Sequence, residues 1–257
     1  MLSLLEISFY SSYFFLAGTS ALTAFEVFGD FQYQYLPLKY ILAIETTVNI
    51  IASFAYSYLI GLIKNPNFTN ITIFRYLDWI VTTPLLLISF TLYLQYLKNK
   101  TTVNGNSNDK ENDKAIVELD YVKLFAIFAL NAIMLIFGFM GETGKINHLL
   151  GCCLGFIPFI LMFYFIWKWY GAIGKNDIIF AIFIIVWSLY GVVYFLPNIS
   201  KNISYNILDI IAKVGFGLLI WFEVVNLRLQ NKLTNTTTLN TNTLSTITLT
   251  KNSKRII

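Results

Sequence analysis

Seven long apolar stretches dominate this chain of 257 residues and restrict it to one broad class of fold. A helix needs about 20 mostly apolar residues to cross a bilayer. Only 12% of the residues are charged, whereas a soluble domain has about 25%. The sequence therefore predicts an all-α integral membrane protein that crosses the bilayer seven times. The predicted spans are 7–28, 40–63, 71–97, 119–140, 148–170, 177–196 and 205–226.

Basic residues in the segments between the spans predict the orientation. If the N-terminus lies outside, thirteen Lys and Arg residues fall on the cytoplasmic side, and only Lys64, Lys145 and Lys201 fall in outer loops. Cytoplasmic segments of membrane proteins are enriched in Lys and Arg. We therefore expect a seven-transmembrane-helix bundle with the N-terminus outside and the C-terminus cytoplasmic. The net charge of +4 is small and dispersed, so binding to nucleic acid is not indicated.

Two segments are too polar to belong to the bundle. Residues 99–118 carry mixed charges and are predicted to form a polar cytoplasmic loop within a seven-helix domain that spans 1–230. The segment 231–257 is rich in Thr and Asn, and such low-complexity composition predicts a disordered cytoplasmic tail.

Five ionisable residues within the predicted spans are candidates for a functional site, because charge inside a bilayer is costly and usually functional. Lys213 lies near the middle of the seventh span, too deep to reach the interface, and Asp209 precedes it by one helical turn. A purely structural ion pair is one explanation for these two residues. The others are Glu45, Arg75 and Asp78.

The third span carries a polar stripe. At about 100° per residue, Arg75, Asp78, Thr82 and Ser89 lie on one face of a helix. Ser89 lies about 16 Å beyond Asp78 toward the cytoplasm, at about 1.5 Å per residue. The stripe is suited to a chain of proton or ion stations.

Two motifs resemble those of a known family. Residues 75–85 read Arg-Tyr-Leu-Asp-Trp-Ile-Val-Thr-Thr-Pro-Leu, and 209–217 read Asp-Ile-Ile-Ala-Lys-Val-Gly-Phe-Gly. On the third and seventh helices, in this order, they resemble the microbial (type 1) rhodopsins over all seven helices. The composition is similar to the rhodopsins of large DNA viruses, which would place the protein in a host cell membrane. The resemblance implies all-trans retinal bound covalently to Lys213 as a Schiff base.

The resemblance also assigns roles. It implies that Asp78 is the primary proton acceptor, that Arg75 holds Asp78 and Asp209 ionised, and that Thr82 donates a hydrogen bond to Asp78. Aromatic and small residues would surround the retinal; without the motif match, each would be taken as ordinary helix-packing core. These predicted cavity residues are Tyr56, Trp79, Thr83, Leu86, Met134, Gly138, Trp187, Tyr190 and Tyr194.

The sequence departs from the best-known pumps at the cytoplasmic proton donor. Ser89 stands where those pumps have a carboxylate, giving an Asp-Thr-Ser motif. Glu45 is our candidate for the replacement, since it begins a polar stripe with Asn49 and Ser53 on the second span. The alternative is that Glu45 is solvated at the membrane interface. Near the outer surface, we expect Glu142 to lie too far from the other charges to contribute.

The favoured function is a light-driven outward proton pump, a transporter rather than an enzyme. A light-gated cation channel, with the Glu45 stripe lining its pore, and a photosensor that signals through a partner are the alternatives. The partners implied are the lipid bilayer, transported protons or other cations, and copies of this chain in a trimer or pentamer. His148 is the only histidine and belongs to no metal-ligand cluster, so no metal site is expected.

Overall fold

A computed structural model describes residues 2–29, 36–64, 71–103, 120–171 and 176–230. All regular structure within these ranges is helical, and it forms the predicted bundle of seven helices. The predicted disordered tail 231–257 and residues 104–118 of the polar segment lie outside the described residues. The helices are α1 Leu4–Val27, α2 Leu36–Ile63, α3 Thr72–Val103, α4 Tyr121–Glu142, α5 His148–Tyr170, α6 Asn176–Val193, and α7, which starts at Asn198 and runs to residue 230.

The third helix is longer than the sequence predicts. It continues to Val103, so the first five residues of the segment expected to be a loop are helical. This polar extension reaches α7, where Nζ of Lys100 lies 3.1 Å from Oε1 of Glu223. Glu223 also accepts a hydrogen bond from the Tyr93 hydroxyl. The contact with α7 supports a helical end that the apolar pattern alone does not predict.

The seventh helix changes its winding in the middle. An α-helical segment, Asn198–Asp209, is followed by a π-helical segment, Ile210–Gly215, and α-helix resumes over 216–230. Single π-turns within α-helices often occur at functional sites, because the extra residue in the turn alters the direction of the side chains around it. Here the π-helical segment contains Lys213.

The surface of the bundle is apolar and its interior contains the charges. Phe54 and Phe125 are more than 70% exposed, whereas Arg75, Asp209 and Lys213 are 1% exposed. This is the arrangement expected of helices surrounded by lipid. Four helices are long and apolar enough to cross a membrane by length and composition: α2, α3, α4 and α5. The other three are shorter or carry more polar residues, and they complete the bundle by packing against these four.

Consecutive helices pack side by side, and α7 closes the ring against α1. A tight turn joins α4 to α5, in which Gly144 adopts a φ of 70° and the side chain of Asn147 caps the start of α5. The end of the bundle where α1, α3 and α7 begin is called the N-terminal end below, and the opposite end is the C-terminal end. Aromatic residues fill the C-terminal half, including Phe90 and Phe183, whose ring centroids are 3.9 Å apart.

Candidate functional site

Lys213 lies at the centre of a buried charge cluster between α3 and α7. Its Nζ contacts Oδ2 of Asp78 directly, and it lies 3.7 Å from Oδ1 of Asp209, one helical turn earlier. All three side chains are almost completely buried. The geometry therefore brings together the lysine and both carboxylates that the motifs predict, and the two carboxylates compensate the charge of the lysine.

Asp209 is held in place by three further groups. The Tyr56 hydroxyl donates to Oδ2 over 2.7 Å and the Tyr190 hydroxyl donates to Oδ1 over 2.8 Å. Nη1 of Arg75 lies 3.6 Å from Oδ2. Tyr56 is therefore part of the charge cluster, and it is not among the residues that line the cavity described below.

Arg75 is fixed by hydrogen bonds to α2 and α7. Its Nε donates to Oδ1 of Asn202 over 2.9 Å, and Nη1 donates to the Tyr56 hydroxyl over 3.1 Å. Nη2 donates to the carbonyl of Asn202 over 3.1 Å and also to Oδ1 of Asn206. Its described ion pair is with Asp209 rather than with both carboxylates. The guanidinium thus separates the charge cluster from the N-terminal end of the bundle.

Thr82 has a different partner from the one expected. Its hydroxyl donates over 2.9 Å to the main-chain carbonyl of Asp78, one turn earlier in α3, and not to the carboxylate. Such a bond within a helix satisfies the hydroxyl locally. Thr82 is fully buried beside Asp78, but its contribution is to the helix backbone.

A cavity of about 130 Å³ adjoins Lys213 between α3, α4, α5, α6 and α7. Glycines allow aromatic side chains to form its walls: a Cβ atom on Gly138 would lie 2.7 Å from the Tyr76 hydroxyl, and one on Gly191 would lie 2.4 Å from the Phe156 ring. Eight of the nine predicted cavity residues line it: Trp79, Thr83, Leu86, Met134, Gly138, Trp187, Tyr190 and Tyr194.

The residues of this cavity suit a polyene aldehyde. Most of the walls are apolar or aromatic, as a conjugated hydrocarbon chain requires. Among the described residues that line the cavity, Lys213 supplies the one primary amine, and Asp209 supplies a carboxylate that can balance an imine cation. On these grounds the cavity fits a retinal bound to Lys213.

A second buried polar pair lies nearer the C-terminal end. The Ser89 hydroxyl on α3 donates to Oε1 of Glu45 on α2, and both residues are fully buried. The structure therefore places Glu45, the candidate proton donor, in contact with Ser89, the residue at the position that it was predicted to replace. Glu45 is not solvated at the interface, because its side chain lies inside the bundle.

A third polar cluster was not predicted from the sequence. Oε1 of Glu142, at the end of α4, lies 2.8 Å from Nζ of Lys201 on α7 and 3.6 Å from Nε2 of His148 on α5. The His148 ring stacks on Tyr194 with centroids 3.8 Å apart. Glu142 was expected to lie too far from the other charges, but folding brings the α4–α5 turn against the start of α7. Spacing along one helix gives no signal for such a contact.

Residues 7–227 match the profile of the family described as bacteriorhodopsin-like protein. The chain belongs to this family. Relatives and solved structures agree with the assignment. The green-light absorbing proteorhodopsin of Gamma-proteobacterium EBAC31A08 is 28% identical to this rhodopsin over 237 residues, which cover 84% of this chain and 87% of that protein.

Solved structures show the same fold. The viral rhodopsin OLPVRII has a TM-score of 0.75 and 29% identity, over 88% of this chain and 99% of that chain. The blue light-absorbing proteorhodopsin from Med12 has a TM-score of 0.66 and 23% identity, over 88% of this chain and 98% of that chain, and is similar in fold alone.

Membership of the family identifies the cofactor and the broad activity. Rhodopsins of this family bind retinal through a Schiff base to a lysine, so retinal is the cofactor of this chain. The protein is an integral membrane rhodopsin from a family of light-driven ion transporters, and it is not a classical enzyme.

Proposed function

We propose that this rhodopsin is a light-driven outward proton pump that carries retinal on Lys213. The observation that carries the proposal is the presence of buried carboxylates at two levels. Asp78 contacts Nζ of Lys213, and Glu45 contacts Ser89, which lies about 16 Å further along α3 at about 1.5 Å per residue. A pump needs a proton acceptor and a proton donor at different depths, and these two residues supply them.

Retinal, when bound to Lys213, supplies the absorption of light and a proton on Nζ that becomes acidic after photon absorption. Oδ2 of Asp78 is the atom in contact with Nζ, so it is positioned to accept that proton. Oδ1 of Asp78 is buried and has no hydrogen-bond partner among the described residues. Asp78 can therefore take up a proton without displacing an existing donor, unlike Asp209, whose two oxygens both accept hydrogen bonds from tyrosines.

Glu45 replenishes the proton on Nζ. A carboxyl group in an apolar interior is stable in its protonated form, because burial disfavours the charged form. The Ser89 hydroxyl holds one oxygen of Glu45 and fixes its position on the C-terminal side of Lys213. Ser89 thus orients a carboxyl on α2, whereas the best-known pumps have a carboxyl at the position of Ser89 itself.

The direction of transport follows from this order. Protons enter from the C-terminal end through Glu45 and leave toward the N-terminal end past Asp78 and Arg75. With the N-terminus outside, as the distribution of Lys and Arg predicts, this movement is outward. Arg75 donates hydrogen bonds to Asn202 and Asn206, which fix its guanidinium between the charge cluster and the N-terminal end. This position supports an exit path that is closed in the dark.

A light-gated cation channel is the second candidate, and one observation favours it. Buried polar residues continue along α2 from Glu45 through Asn49 and Ser53 to Tyr56, and a chain of water along them would form a pore. The hydroxyl of Ser53, however, donates to the carbonyl of Ile50 in its own helix, and Tyr56 is bonded to Asp209 and Arg75. The polar stripe on α2 is therefore closed at Tyr56, on the side that faces the N-terminal end of the bundle.

Voltage clamp separates the two candidates. The protein is expressed with retinal and illuminated at zero potential in symmetric solutions. A pump produces outward current under these conditions, whereas a channel produces none, because no gradient drives ions through it. Current that vanishes at zero potential and reverses with the ion gradient would contradict the pump and support the channel.

A further inference from the structure

Asn49 links the proposed proton donor to the main chain at Lys213. It is fully buried on α2, one turn after Glu45. Its Nδ2 donates to the carbonyl of Glu45 over 2.9 Å and to the carbonyl of Lys213 over 3.5 Å. One amide group therefore spans the gap between α2 and the π-helical segment of α7.

The close approach of α7 depends on Gly217. A Cβ atom at this position would lie 3.1 Å from Nδ2 of Asn49 and 3.9 Å from Cβ of Glu45. A methyl group on α7 would therefore crowd the Asn49 amide, whereas its contact with Glu45 would be an ordinary van der Waals contact. The glycine leaves the Asn49 amide in contact with the backbone that carries Lys213.

Two buried oxygens in this region have no partner. Oε2 of Glu45 and Oδ1 of Asn49 are both inaccessible, and neither forms a hydrogen bond with any described residue. Residues four apart on a helix are neighbours on one face, so the Glu45 and Asn49 side chains share one face of α2. Buried polar atoms are nearly always satisfied, and an internal water with two or more polar partners is a common way of satisfying them.

We propose that Glu45 and Asn49 together bind a water molecule that is the first station for proton transfer from Glu45 to Lys213. This inference rests on the proposed function, because it takes Glu45 as the donor. The water accepts the proton of the Glu45 carboxyl at its oxygen, while it donates one of its own hydrogens to Oδ1 of Asn49.

Transfer then proceeds without any net change in the water. The O–H bond of Glu45 breaks and an O–H bond forms on the water, which releases a proton toward Nζ of Lys213. Glu45 ends as a carboxylate and Nζ gains one proton. Asn49 is a positioning residue in this step, because it orients the water and neither gains nor loses a proton.

The test combines flash spectroscopy with infrared difference spectroscopy on the retinal-loaded protein. Asn49→Leu removes the amide, and Thr46→Val is the matched control. Thr46 is also polar and buried on α2, but its hydroxyl donates to Thr23 on α1 over 2.8 Å. Asn49→Leu is expected to slow recovery of the dark absorption on the order of tenfold to a hundredfold, since small losses of positioning have effects of that size. Thr46→Val should recover at nearly the normal rate.

The infrared measurement detects the water itself. In the unmodified protein, exchange into heavy-oxygen water should shift an O–H stretching band that changes when Glu45 loses its proton. The same band should be lost in Asn49→Leu and kept in Thr46→Val. This measurement on the unmodified protein also decides the question if Asn49→Leu does not assemble. A spectrum unaffected by heavy oxygen would overturn the proposal and favour a direct contact between Glu45 and Asn49.

Glu45→Gln distinguishes failure of this inference from failure of the proposed donor. If Glu45→Gln slows recovery and Asn49→Leu does not, the water site is wrong and the donor stands. If Glu45→Gln does not slow recovery, Glu45 is not the donor and the inference fails with it.

Discussion

Asp78 and Asp209 both face Nζ of Lys213, but only Asp209 accepts a hydrogen bond at each of its two carboxylate oxygens from the described residues. Tyr56 and Tyr190 each donate to a different oxygen of Asp209, and Arg75 lies 3.6 Å away. Asp78 contacts Lys213 through Oδ2, while its Oδ1 has no partner among the described residues. The two carboxylates beside one cation therefore have distinct surroundings, because only Asp78 has an oxygen without a hydrogen bond from the described residues.

Replacing Asp78 by Asn should abolish light-driven transport. The amide cannot accept a proton from Nζ, and loss of a positioned acid or base lowers a rate by about 10² to 10⁴. Removal of the negative charge should also shift the absorption to longer wavelength, since less charge stabilises the dark-state cation. Asp78→Glu keeps a carboxylate and is the control that should retain transport. Photocurrent and absorption spectra measure both effects, and normal current in Asp78→Asn would remove this residue from the mechanism.

Thr82→Val should have only a small effect on transport. The hydroxyl donates to the main-chain carbonyl of Asp78 within α3 and not to the carboxylate. Loss of such a bond costs about 0.5–1.5 kcal/mol of stability, and the helix itself is retained. The photocurrent of the variant should remain close to normal. A loss of current as severe as that of Asp78→Asn would instead mean that Thr82 bonds the carboxylate during transport.

Glu45→Gln should slow recovery of the dark absorption by about 10² or more, because the amide cannot release a proton to Lys213. A small membrane-permeant weak acid added to the buffer should restore the rate, since it carries protons to the interior. Ser89→Ala is a milder change: it leaves the carboxyl in place and removes the hydroxyl that holds Oε1. We expect it to slow recovery less than Glu45→Gln. Flash spectroscopy measures the recovery rate of Glu45→Gln, with and without the weak acid, and of Ser89→Ala. Equal rates in Glu45→Gln and the unmodified protein would exclude Glu45 as donor.

The sequence predicts the parts of this site that depend on spacing along one helix. Arg75, Asp78 and Ser89 share a face of α3 because of the helical period, and Asp209 precedes Lys213 by one turn for the same reason. Those relationships hold in the structure, where all five of these side chains are buried inside the bundle. The apolar length of the spans likewise predicts the seven helices.

Contacts that depend on how helices rotate and wind are not predictable in this way. Tyr56 lies on the polar side of α2, but only packing against α7 brings its hydroxyl to Asp209. The π-helical segment Ile210–Gly215 follows from a change in hydrogen-bond register, and its sequence has no proline to signal it. Glu142 and Lys201 are 59 positions apart and meet only when the ring of helices closes.

The Glu142–Lys201 pair gives a prediction about stability. Both side chains are less than 10% exposed. Removing one partner of a buried ion pair leaves an uncompensated charge and costs about 3–5 kcal/mol. Glu142→Gln should therefore lower the temperature at which the pigment loses its colour. The double variant Glu142→Gln with Lys201→Met should recover much of that loss, because it removes the stranded charge as well. A double variant no more stable than Glu142→Gln would show that the pair is not the source of the effect.

The last prediction concerns the shape of the cavity. A methyl group at Gly191 on α6 would lie 2.4 Å from two ring atoms of Phe156 on α5, which is closer than Cβ atoms are found in proteins. Because Gly191 and Phe156 both line the cavity, Gly191→Ala must displace the ring and change the space available to retinal. We expect slower formation of the pigment when retinal is added to the apoprotein, and a shift of its absorption.

Gly18→Ala on α1 is the matched control, since a methyl group there meets no atom within 4 Å. In a helix interior, alanine is also more stable than glycine by about 0.5–1 kcal/mol. The time course of absorption after addition of retinal measures the effect. Equal rates for the two variants would mean that the Phe156 ring moves away from the cavity, leaving the retinal site unchanged.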